Sequence, residues 1–311
     1  MDDYYRVEAL GTTCVLAGFS AFPSDRSIDI FYKYLVEFDE AASRFRSDSE
    51  LNTVFDGSRR DDIKVSPLLF DAISAAMHGA RISNGYVDPT VARSLVALGY
   101  DRDFSLISQK GSPETSMRVV LPQGYSRVRI NSEQKTISVA EGVTFDLGAT
   151  GKAFLADRIK TAIEAEVKES VLVNLGGDIS ASTSDNGRYW TINITDDCSL
   201  DPWASGLAIG ICGGGITTSS TTARKWTAGG KEIHHIIDPF NGTPAETEFY
   251  AVTALAGSAL DANIATTGTL AMGKSGTEWL TKLRLPAMAR GADGDFYFGG
   301  WLANIGRRRS G

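Results

Sequence analysis

Apolar and polar positions alternate along the chain with two different periods, and these periods predict its helices and strands. Over residues 26–46 apolar side chains recur every three or four positions, which indicates an amphipathic helix with one face in the core. A second helix is predicted over residues 67–83, because Ser66 suits its N-cap and Asn84-Gly85 suits its C-terminal end. The predicted core-facing side chains of the first helix are Ile28, Phe31, Tyr32, Leu35, Phe38, Ala42 and Phe45.

Strand signals fill much of the remaining chain. Residues 6–20 predict a strand interrupted at Gly11, and short alternating segments between residues 117 and 146 predict an antiparallel meander. Residues 216–222 are rich in hydroxyl side chains and are expected to form a loop. Further strands are predicted at residues 170–174, 190–195, 207–211 and 249–256, a helix at 258–273 and a hairpin at 287–298.

Together these elements predict an α+β fold. We expect one domain over residues 1–311, with mixed or mainly antiparallel strands and helices packed around them. No linker, repeat or low-complexity segment interrupts the sequence. Motifs from distant parts of the chain are therefore expected to converge on one cleft.

The charge balance argues against one broad class of function. The 311-residue chain carries a net charge of −7, whereas a protein that binds nucleic acid without sequence preference needs a basic face. The one basic cluster in the sequence, residues 307–309, lies at the C-terminal end, where we expect a solvated tail. We therefore predict no nucleic-acid partner.

Sequence features of the termini and cysteines bear on the compartment. No apolar run approaches the length of a membrane span, and residues 1–5 lack the basic and apolar regions of a secretory signal. Cys14, Cys198 and Cys212 lack metal-ligand spacing and are expected to be reduced. These features predict a cytoplasmic protein, although a shortened form of an exported protein would look the same.

The most distinctive candidate chemistry lies in residues 234–244, HHIIDPFNGTP. The segment predicts a strand end followed by a tight turn, because Pro239 fixes its φ and Gly242 tolerates a positive φ. Such a turn has no need of adjacent histidines. His235 is therefore the candidate for proton transfer or acceptor orientation, and His234 is expected to point the other way, since side chains alternate along an extended segment.

A second candidate is the predicted turn and helix start in residues 146–158, DLGATGKAFLADR. Backbone N–H groups at a helix start suit phosphate, and Lys152 adds a positive charge. The Gly and Lys spacing differs from that of a P-loop, and glycine is common at plain strand-to-helix turns. The residues alone leave both interpretations open. In residues 174–179, NLGGDI, Asp178 can likewise serve a site or hold its own turn, and we favour the turn.

These segments resemble those of the ApbE family, the FAD:protein FMN transferases. Residues 235–239 match the family's HIIDP, residues 146–157 resemble its DLGGIAKGYAxD, and residues 174–179 match its NLGGDI. Because the similar segments follow one another in family order from residue 10 to residue 273, the resemblance is specific. The remaining segments are residues 10–12 (M-G-T in the family), 43–51 (S-x-[YF]-x-x-x-SEL), 85–91 (GxFDPTV), 216–222 (containing T-S-G or T-S-S) and 258–273 (containing ADAxxTAxxxxG).

The resemblance implies Mg²⁺-dependent transfer of FMN from FAD to a serine or threonine hydroxyl of an acceptor protein, with release of AMP. FAD is then the substrate, Mg²⁺ the cofactor and the acceptor protein the partner. His235 is the candidate catalytic residue, and the Mg²⁺ ligands are the Ala149 carbonyl, Asn263 and Thr267. The implied FAD contacts are Phe45, Tyr86, Val87, Asp88, Asp146, Lys152, Ser219 and Ile237.

One implied metal ligand departs from the family pattern. Asn263 stands where the family has an aspartate, four residues from Thr267 on the same helix face. An amide oxygen is an acceptable hard ligand, but one negative charge is lost. We therefore expect weaker Mg²⁺ binding, and tighter binding in an Asn263→Asp variant. Asp261, two residues back, is expected to cap the helix.

Two other functions remain open from the sequence. In a hydrolase, water would replace the acceptor hydroxyl and give FMN and AMP. The second alternative, suggested by Asn263, is a protein that binds FAD without reacting with it. Incubation with Mg²⁺ and FAD alone separates the first alternative from strict transfer, because only the hydrolase forms AMP without an acceptor.

Overall fold

The computed structural model describes residues 4–19, 21–107, 118–184, 188–195 and 206–301. Most of its strands belong to one large sheet or to small antiparallel pairs beside it. The strands are β1 (Tyr4–Ala9), β2 (Thr12–Gly18), β3 (Arg60–Lys64), β4 (Val128–Asn131), β5 (Thr136–Val139), β6 (Val171–Leu175), β7 (Asp178–Ala181), β8 (Trp190–Thr195), β9 (Gly206–Ile211), β10 (Gly214–Ser220), β11 (Lys225–Ala228), β12 (Lys231–His234), β13 (Ile237–Asp238), β14 (Thr243–Pro244), β15 (Phe249–Ala256), β16 (Ala287–Gly291) and β17 (Gly294–Phe298).

The large sheet has eight strands in the order β1-β2-β6-β7-β10-β15-β16-β17, and every neighbouring pair is antiparallel. A three-stranded sheet in the order β3-β5-β4 and the pairs β8-β9, β11-β12 and β13-β14 lie outside it. The α-helices are α1 (Asp25–Ala42), α2 (Glu50–Val54), α3 (Pro67–Ile82), α4 (Ala92–Ala97), α5 (Gly151–Glu166), α6 (Ala259–Ala271) and α7 (Gly276–Leu283). Helices together with mostly antiparallel sheets confirm the predicted α+β class, whereas the single domain over residues 1–311 stays a prediction.

Two neighbouring helices, α5 and α6, pack against the central strands of the large sheet. Helix α5 contacts β6 and β7, helix α6 contacts β10 and β15, and the two helices contact each other. Helices α1 and α3 join the same apolar core, where Phe31, Ile73 and Ile159 are fully buried. This packing brings the N-terminal halves of α5 and α6 close to the ends of β7 and β10.

Local chemistry explains where helix α3 begins and ends. The Ser66 hydroxyl accepts a hydrogen bond from the backbone N–H of Leu69, and Pro67 occupies the first helical position. After the helix, Asn84 and Gly85 adopt φ values of 52° and 89°, which these two residue types tolerate best. The predicted limits of this helix are confirmed.

Three predictions of secondary structure differ from the structure. Helix α1 ends at Ala42 because Ser43 is extended, and the side chains of Tyr32 and Phe45 are 52% and 39% exposed rather than in the core. The expected meander contains only β4 and β5 among the described residues 118–146. Residues 214–220, expected in part as a loop, form strand β10, because threonine is β-branched and suits a strand.

Among the described residues, every helix is too short or too polar to cross a bilayer.

Candidate active site

The turn before helix α5 is held by Asp146. Its carboxylate accepts a 2.7 Å hydrogen bond from the backbone N–H of Gly148. A Cβ atom at position 148 would lie only 2.8 Å from the same carboxylate oxygen, so a larger residue would displace it. The other carboxylate oxygen pairs with the guanidinium of Arg44. Asp146 therefore fixes both the turn and a cation beside it.

The guanidinium of Arg44 is buried and contacts other protein groups on several sides. Its side chain is only 9% exposed. Nη1 donates a 2.8 Å hydrogen bond to the Tyr100 carbonyl, and the guanidinium lies 4.0 Å from the ring centroid of Phe45 and 4.4 Å from that of Tyr100. Nη2 is buried without a hydrogen-bond partner among the described residues. Arg44 thus forms a rigid cationic wall with two aromatic rings.

A cavity of about 270 Å³ opens beside this wall. Phe45, Asp146 and Lys152, three of the residues predicted to contact FAD, lie on its surface. Its other walls come from the turn between β1 and β2, from α1, from residues 95–104 and from Arg224. The Arg224 guanidinium donates a 3.0 Å hydrogen bond to the Tyr100 hydroxyl. The lining also contains the carboxylates of Asp39, Asp103 and Asp146, of which Asp39 pairs with Arg46 and Asp146 with Arg44. Its aromatic rings and cations together suit a planar ring system carrying phosphate.

Lys152 connects this cavity with a buried polar network. Its Nζ lies 3.5 Å from Oδ2 of Asp178, and Oδ1 of Asp178 accepts a 2.7 Å hydrogen bond from Nδ2 of Asn263. The Thr267 hydroxyl donates to Oδ1 of Asn263 at 3.2 Å and lies 2.9 Å from the Ser219 hydroxyl. The network therefore continues from α5 through β7 and α6 to β10.

The structure shows that Asp178 is more than a turn residue. Its side chain is 5% exposed, and burial raises its pKa, although the Lys152 charge and the Asn263 hydrogen bond oppose this. The turn itself is held by Asn174, whose Oδ1 accepts from the N–H of Gly177. The side chain of Asp178 therefore contacts Lys152 and Asn263 where hydrogen bonds within its own turn were expected, and a role of Asp178 in the site stays a prediction.

Helix α6 is held in place by a side chain of helix α5. Oδ1 of Asp157 accepts hydrogen bonds from the Ala259 N–H and the Ser180 hydroxyl, and Oδ2 accepts from the Leu260 N–H at 3.0 Å. Ser258 is the N-cap, and its hydroxyl donates to Asp261 at 2.8 Å. Asp261 therefore lies at the capped end of the helix, as expected, and Asn263 and Thr267 lie on a helix whose start is fixed.

The two adjacent histidines have different surroundings. His235 follows β12, makes a hydrogen bond with the backbone of Arg224 and is close enough to Arg224 and Lys152 for their charges to affect it. Burial first, and these positive charges second, hold the pKa of His235 well below its ordinary value of 6.5. Its imidazole is therefore neutral near pH 7. His234 is close to Lys225 and hydrogen-bonds with the backbone of Ala245; burial also lowers its pKa.

Tyr86 and Val87, two other predicted FAD contacts, lie in different surroundings. The rings of Tyr86 and Phe240 meet edge to face with centroids 4.9 Å apart. Val87 is buried, and a Cβ atom added at Gly268 would meet its side chain at 3.4 Å, which places Val87 beside helix α6. Neither Tyr86 nor Val87 lines the cavity beside Arg44.

The side chains of Asp88 and Ile237 contact other residues of the protein. Oδ1 of Asp88 accepts hydrogen bonds from the N–H and hydroxyl of Thr90, and Oδ2 accepts from the N–H of Tyr125. Burial raises the pKa of Asp88 above its usual range. Ile237 is buried in an apolar cluster that includes Leu98 and Trp226. Their contacts with FAD stay predictions, and Asp88 has the capping role that its sequence context also allows.

The predicted metal ligands can be tested against the ligand preferences of Mg²⁺. Oδ1 of Asn263 and the Thr267 hydroxyl are 3.2 Å apart and are both hard oxygen donors. Ala149 lies in the turn before α5, and a Cβ atom at Gly79 would touch both Thr150 at 3.6 Å and Ile264 at 3.1 Å. Thr150 and Ile264, the sequence neighbours of Ala149 and Asn263, therefore both lie near Gly79. Asn263 and Thr267 offer two neighbouring oxygens that suit a hard divalent cation, and the Ala149 carbonyl as a third ligand stays a prediction.

Such a site would use few charged ligands. The described residues contain no group of three or more His, Cys, Asp or Glu side chains placed to hold a metal ion. Amide, hydroxyl and carbonyl oxygens would therefore supply most of the ligands, and Mg²⁺ commonly completes its octahedron with water and substrate phosphate.

Several residues at this site were not selected from the sequence. Arg44, Tyr100 and Arg224 line the cavity, and Asp157 caps the first turn of α6. Arg44 and Asp157 lie within segments that resemble the family, and this was the available signal. Tyr100 and Arg224 lie outside the quoted matches, and only the fold brings them to the cavity.

Comparisons with known proteins identify the family. The family model for ApbE matches residues 4–289 of the chain. The FAD:protein FMN transferase of Treponema pallidum is 27% identical over 292 residues, which cover 87% of this chain and 79% of that protein. The FAD:protein FMN transferase of Klebsiella pneumoniae is 25% identical over 236 residues, with 76% and 72% covered.

Solved structures show the same fold. The ApbE protein of Thermotoga maritima matches with a TM-score of 0.78 and 23% identity, covering 97% of this chain and 99% of that one. The flavin transferase ApbE of Vibrio cholerae matches with a TM-score of 0.76 and 21% identity, covering 97% and 98%.

Proposed function

The chain belongs to the ApbE family and is a transferase, and on that premise we propose that it moves FMN from FAD to a serine or threonine hydroxyl of an acceptor protein, with Mg²⁺ as cofactor and AMP as product. The single observation that carries the proposal is the position of Lys152, which lines the aromatic and cationic cavity and also contacts the network of Asp178, Asn263 and Thr267. Ring binding and phosphate chemistry can therefore take place side by side.

The proposed reaction is a displacement at phosphorus. The acceptor oxygen forms a bond to the phosphorus of the FMN half of FAD, and the bond from that phosphorus to the bridging oxygen breaks. AMP leaves with the bonding electron pair. The hydroxyl proton passes to His235, which can accept it because its imidazole is neutral near pH 7.

The cations at the cavity stabilise negative charge on the substrate. Lys152 and Arg224 both line it, and Arg224 forms no ion pair with a carboxylate among the described residues. Arg224 is therefore the cation most available to a phosphate. Lys152 and Arg224 serve the pyrophosphate and the departing AMP.

The aromatic side of the cavity serves the flavin. Phe45 and Tyr100 lie with ring centroids 5.7 Å apart, and Arg44 lies over both rings. A planar ring system gains both stacking and apolar burial in such a place. Tyr86 and Phe240 form a second aromatic contact, at the turn that follows the histidines in the chain.

Asn263 and Thr267, together with the Ala149 carbonyl, would hold Mg²⁺. When bound, the ion neutralises charge on the pyrophosphate oxygens and orients them for displacement.

The test is mass spectrometry of a candidate acceptor protein after incubation with this chain, FAD and Mg²⁺. We expect an FMN adduct on the acceptor and one equivalent of AMP, both of which disappear when the acceptor serine or threonine is replaced by alanine. FMN and AMP formed at the same rate without an acceptor would instead identify a hydrolase. FAD that binds but yields no AMP with any divalent metal would identify a non-catalytic flavin protein.

A further inference from the structure

The amide of Asn263 is clamped between two partners of different kind. Its Nδ2 donates a 2.7 Å hydrogen bond to Oδ1 of Asp178, and its Oδ1 accepts a 3.2 Å hydrogen bond from the Thr267 hydroxyl. Asn263 and Asp178 are only 6% and 5% exposed, so water does not compete strongly for these contacts. The orientation of the amide is therefore set by its protein neighbours.

Of these neighbours, only Asp178 has a fixed polarity. An ionised carboxylate accepts hydrogen bonds and cannot donate them, so it must face the nitrogen end of the amide. The Thr267 hydroxyl can either donate or accept, and its second neighbour, Ser219 at 2.9 Å, is a hydroxyl with the same freedom. Without Asp178 the hydroxyls would accommodate either orientation of Asn263.

We propose that Asp178 is a positioning residue, which turns the oxygen of the Asn263 amide toward Thr267 and so presents two oxygens, instead of an oxygen and an NH₂ group, to a divalent cation. The inference rests on the proposed function, in which Asn263 and Thr267 hold Mg²⁺. A rotated amide would direct N–H donors at the cation, and these repel it. Asp178 thereby makes an uncharged asparagine usable as a ligand.

Lys152 fixes the other end of Asp178. Its ammonium group lies 3.5 Å from Oδ2, while Oδ1 receives the amide of Asn263. Donors therefore approach Asp178 from both sides, Lys152 at one oxygen and Asn263 at the other, and Thr267 donates to the far end of the Asn263 amide. Rotating the Asn263 amide would place its oxygen against the carboxylate of Asp178.

Two single substitutions test the contact in opposite directions. In Asp178→Asn the new amide has to offer its oxygen to Lys152, so its nitrogen meets Nδ2 of Asn263, and the Asn263 amide has to rotate. In Asn263→Asp the aspartate of the family pattern returns, and because both ends of a carboxylate are oxygens, no amide has to be oriented. The first change is expected to spoil the cation site, whereas the second is expected to keep it.

The double exchange Asp178→Asn with Asn263→Asp restores these contacts. The new amide at position 178 offers oxygen to Lys152 and nitrogen to position 263, and the new carboxylate at position 263 keeps an oxygen toward Thr267. The number of charges is the same as in the wild-type protein. A purely structural role of Asp178 gives no reason for this exchange to recover cation binding.

The experiment compares wild type, the two single variants and the double exchange in the presence of FAD and increasing Mg²⁺. The first readout is the rise in melting temperature that Mg²⁺ adds to FAD alone, because a ligand bound to the folded state stabilises it. The second is release of AMP. We expect Asp178→Asn to need about 10- to 100-fold more Mg²⁺, as is typical when a group that orients a ligand is changed. Asn263→Asp should need no more Mg²⁺ than wild type. The double exchange should need no more Mg²⁺ than wild type.

Two matched control variants change other residues and leave the contact between Asp178 and Asn263 intact. Asn174→Asp makes the same change in the turn between β6 and β7, where the side-chain oxygen that accepts from the Gly177 N–H is kept. Asp71→Asn breaks an ion pair with Arg158 away from the network. Both controls should keep the Mg²⁺ requirement of wild type.

Wild-type Mg²⁺ dependence in folded Asp178→Asn would overturn the proposal, as would a double exchange no better than Asp178→Asn. If Asp178→Asn does not fold, the double exchange is compared with Asn263→Asp alone, and a double exchange that needs about 10-fold or more additional Mg²⁺ would overturn the proposal, because Asp178 would then matter without an amide to orient. Absence of any Mg²⁺ response in the wild-type protein would overturn the metal requirement of the proposed function itself, and the role of Asp178 with it.

Discussion

The Asp157 carboxylate accepts a 2.9 Å hydrogen bond from the backbone N–H of Ala259, so that helix α5 caps the first turn of helix α6. The second oxygen of Asp157 accepts from the next N–H, that of Leu260, at 3.0 Å. The first N–H groups of a helix have no partner within the helix, and a carboxylate there also interacts favourably with the helix dipole. The contact fixes the helix that carries Asn263 and Thr267 to the helix that carries Lys152.

Asp157→Ala should therefore lower the free energy of unfolding by about 1–3 kcal/mol, through the loss of helix capping and the exposure of unpaired donors. Urea denaturation followed by circular dichroism measures the change. Asp261→Asn is the control, because Asp261 is an exposed residue of the same helix end that accepts only from the Ser258 hydroxyl. It should cost less than about 1 kcal/mol. Equal losses in the two variants would contradict the capping role of Asp157.

The ion pair between Arg44 and Asp146 supports a second prediction. Both side chains are about nine-tenths buried. Removing one partner of a buried pair leaves the other charge without compensation, which typically costs about 3–5 kcal/mol. We expect a loss of this order in Arg44→Met, measured by urea denaturation.

The comparison pair for this experiment is Arg59 with Asp61, in which both side chains are more than half exposed. Arg59→Met should cost about 0–1 kcal/mol, since exposed pairs contribute little. Adding Asp146→Asn to Arg44→Met should recover part of the loss, because the uncompensated charge is then removed. A double variant less stable than Arg44→Met would argue that Asp146 acts mainly through Gly148 and not through Arg44.

The contrast between helix α3 and Phe45 shows which structure the sequence could predict. The ends of α3 depend on residues within a few positions of one another, namely Ser66, Pro67, Asn84 and Gly85, so local chemistry is sufficient. Phe45 continues the apolar period of helix α1, but the helix ends at Ala42 and the ring faces the cavity. A period along the chain cannot distinguish a core from a cavity.

The site was also difficult to predict from the sequence, because its contacts join segments that lie far apart in the chain. Asp157 and Ala259 are 102 positions apart, and Asp178 and Asn263 are 85 apart. Resemblance placed the three segments that hold these residues at one site, but which side chains face each other depends on how α5, α6 and β7 pack. Asn263 illustrates this. The sequence predicts tighter Mg²⁺ binding in Asn263→Asp from the added charge, but it does not show that Asp178 accepts a 2.7 Å hydrogen bond from this amide.

A third prediction concerns proton transfer. His235→Ala should slow AMP release in the presence of FAD, Mg²⁺ and acceptor by about 10²–10⁴-fold, the usual contribution of a general acid or base. His234→Ala and His78→Ala should keep most of the rate. His234 lies beside Lys225 instead of the cavity cations, and His78 is an exposed residue of α3. A larger loss in His234→Ala than in His235→Ala would show that His235 is not the residue that transfers the proton.

The fourth prediction is the pH dependence of stability. The pKa of His235 in the folded protein lies well below 6.5, its ordinary value and the value expected after unfolding. Between these two pKa values the unfolded chain binds more protons than the folded chain, so the free energy of unfolding rises with pH. This contribution is complete above about pH 7 and is progressively lost as the pH falls below 6.5 toward the folded pKa.

His235→Gln removes the titrating group while keeping a polar side chain of similar reach. We therefore expect the drop in stability between about pH 8 and about pH 5 to be smaller in His235→Gln than in wild type, as measured by urea denaturation at each pH. His234→Gln should reduce the drop to a lesser extent, because the pKa of His234 is also lowered, but less strongly. His78→Gln is the matched control for the loss of one histidine at an exposed position and should leave the drop unchanged. If His235→Gln loses as much stability on acidification as wild type, the imidazole of His235 is not held neutral by burial and by the cations at the cavity, and its assignment as the base would lose its physical basis.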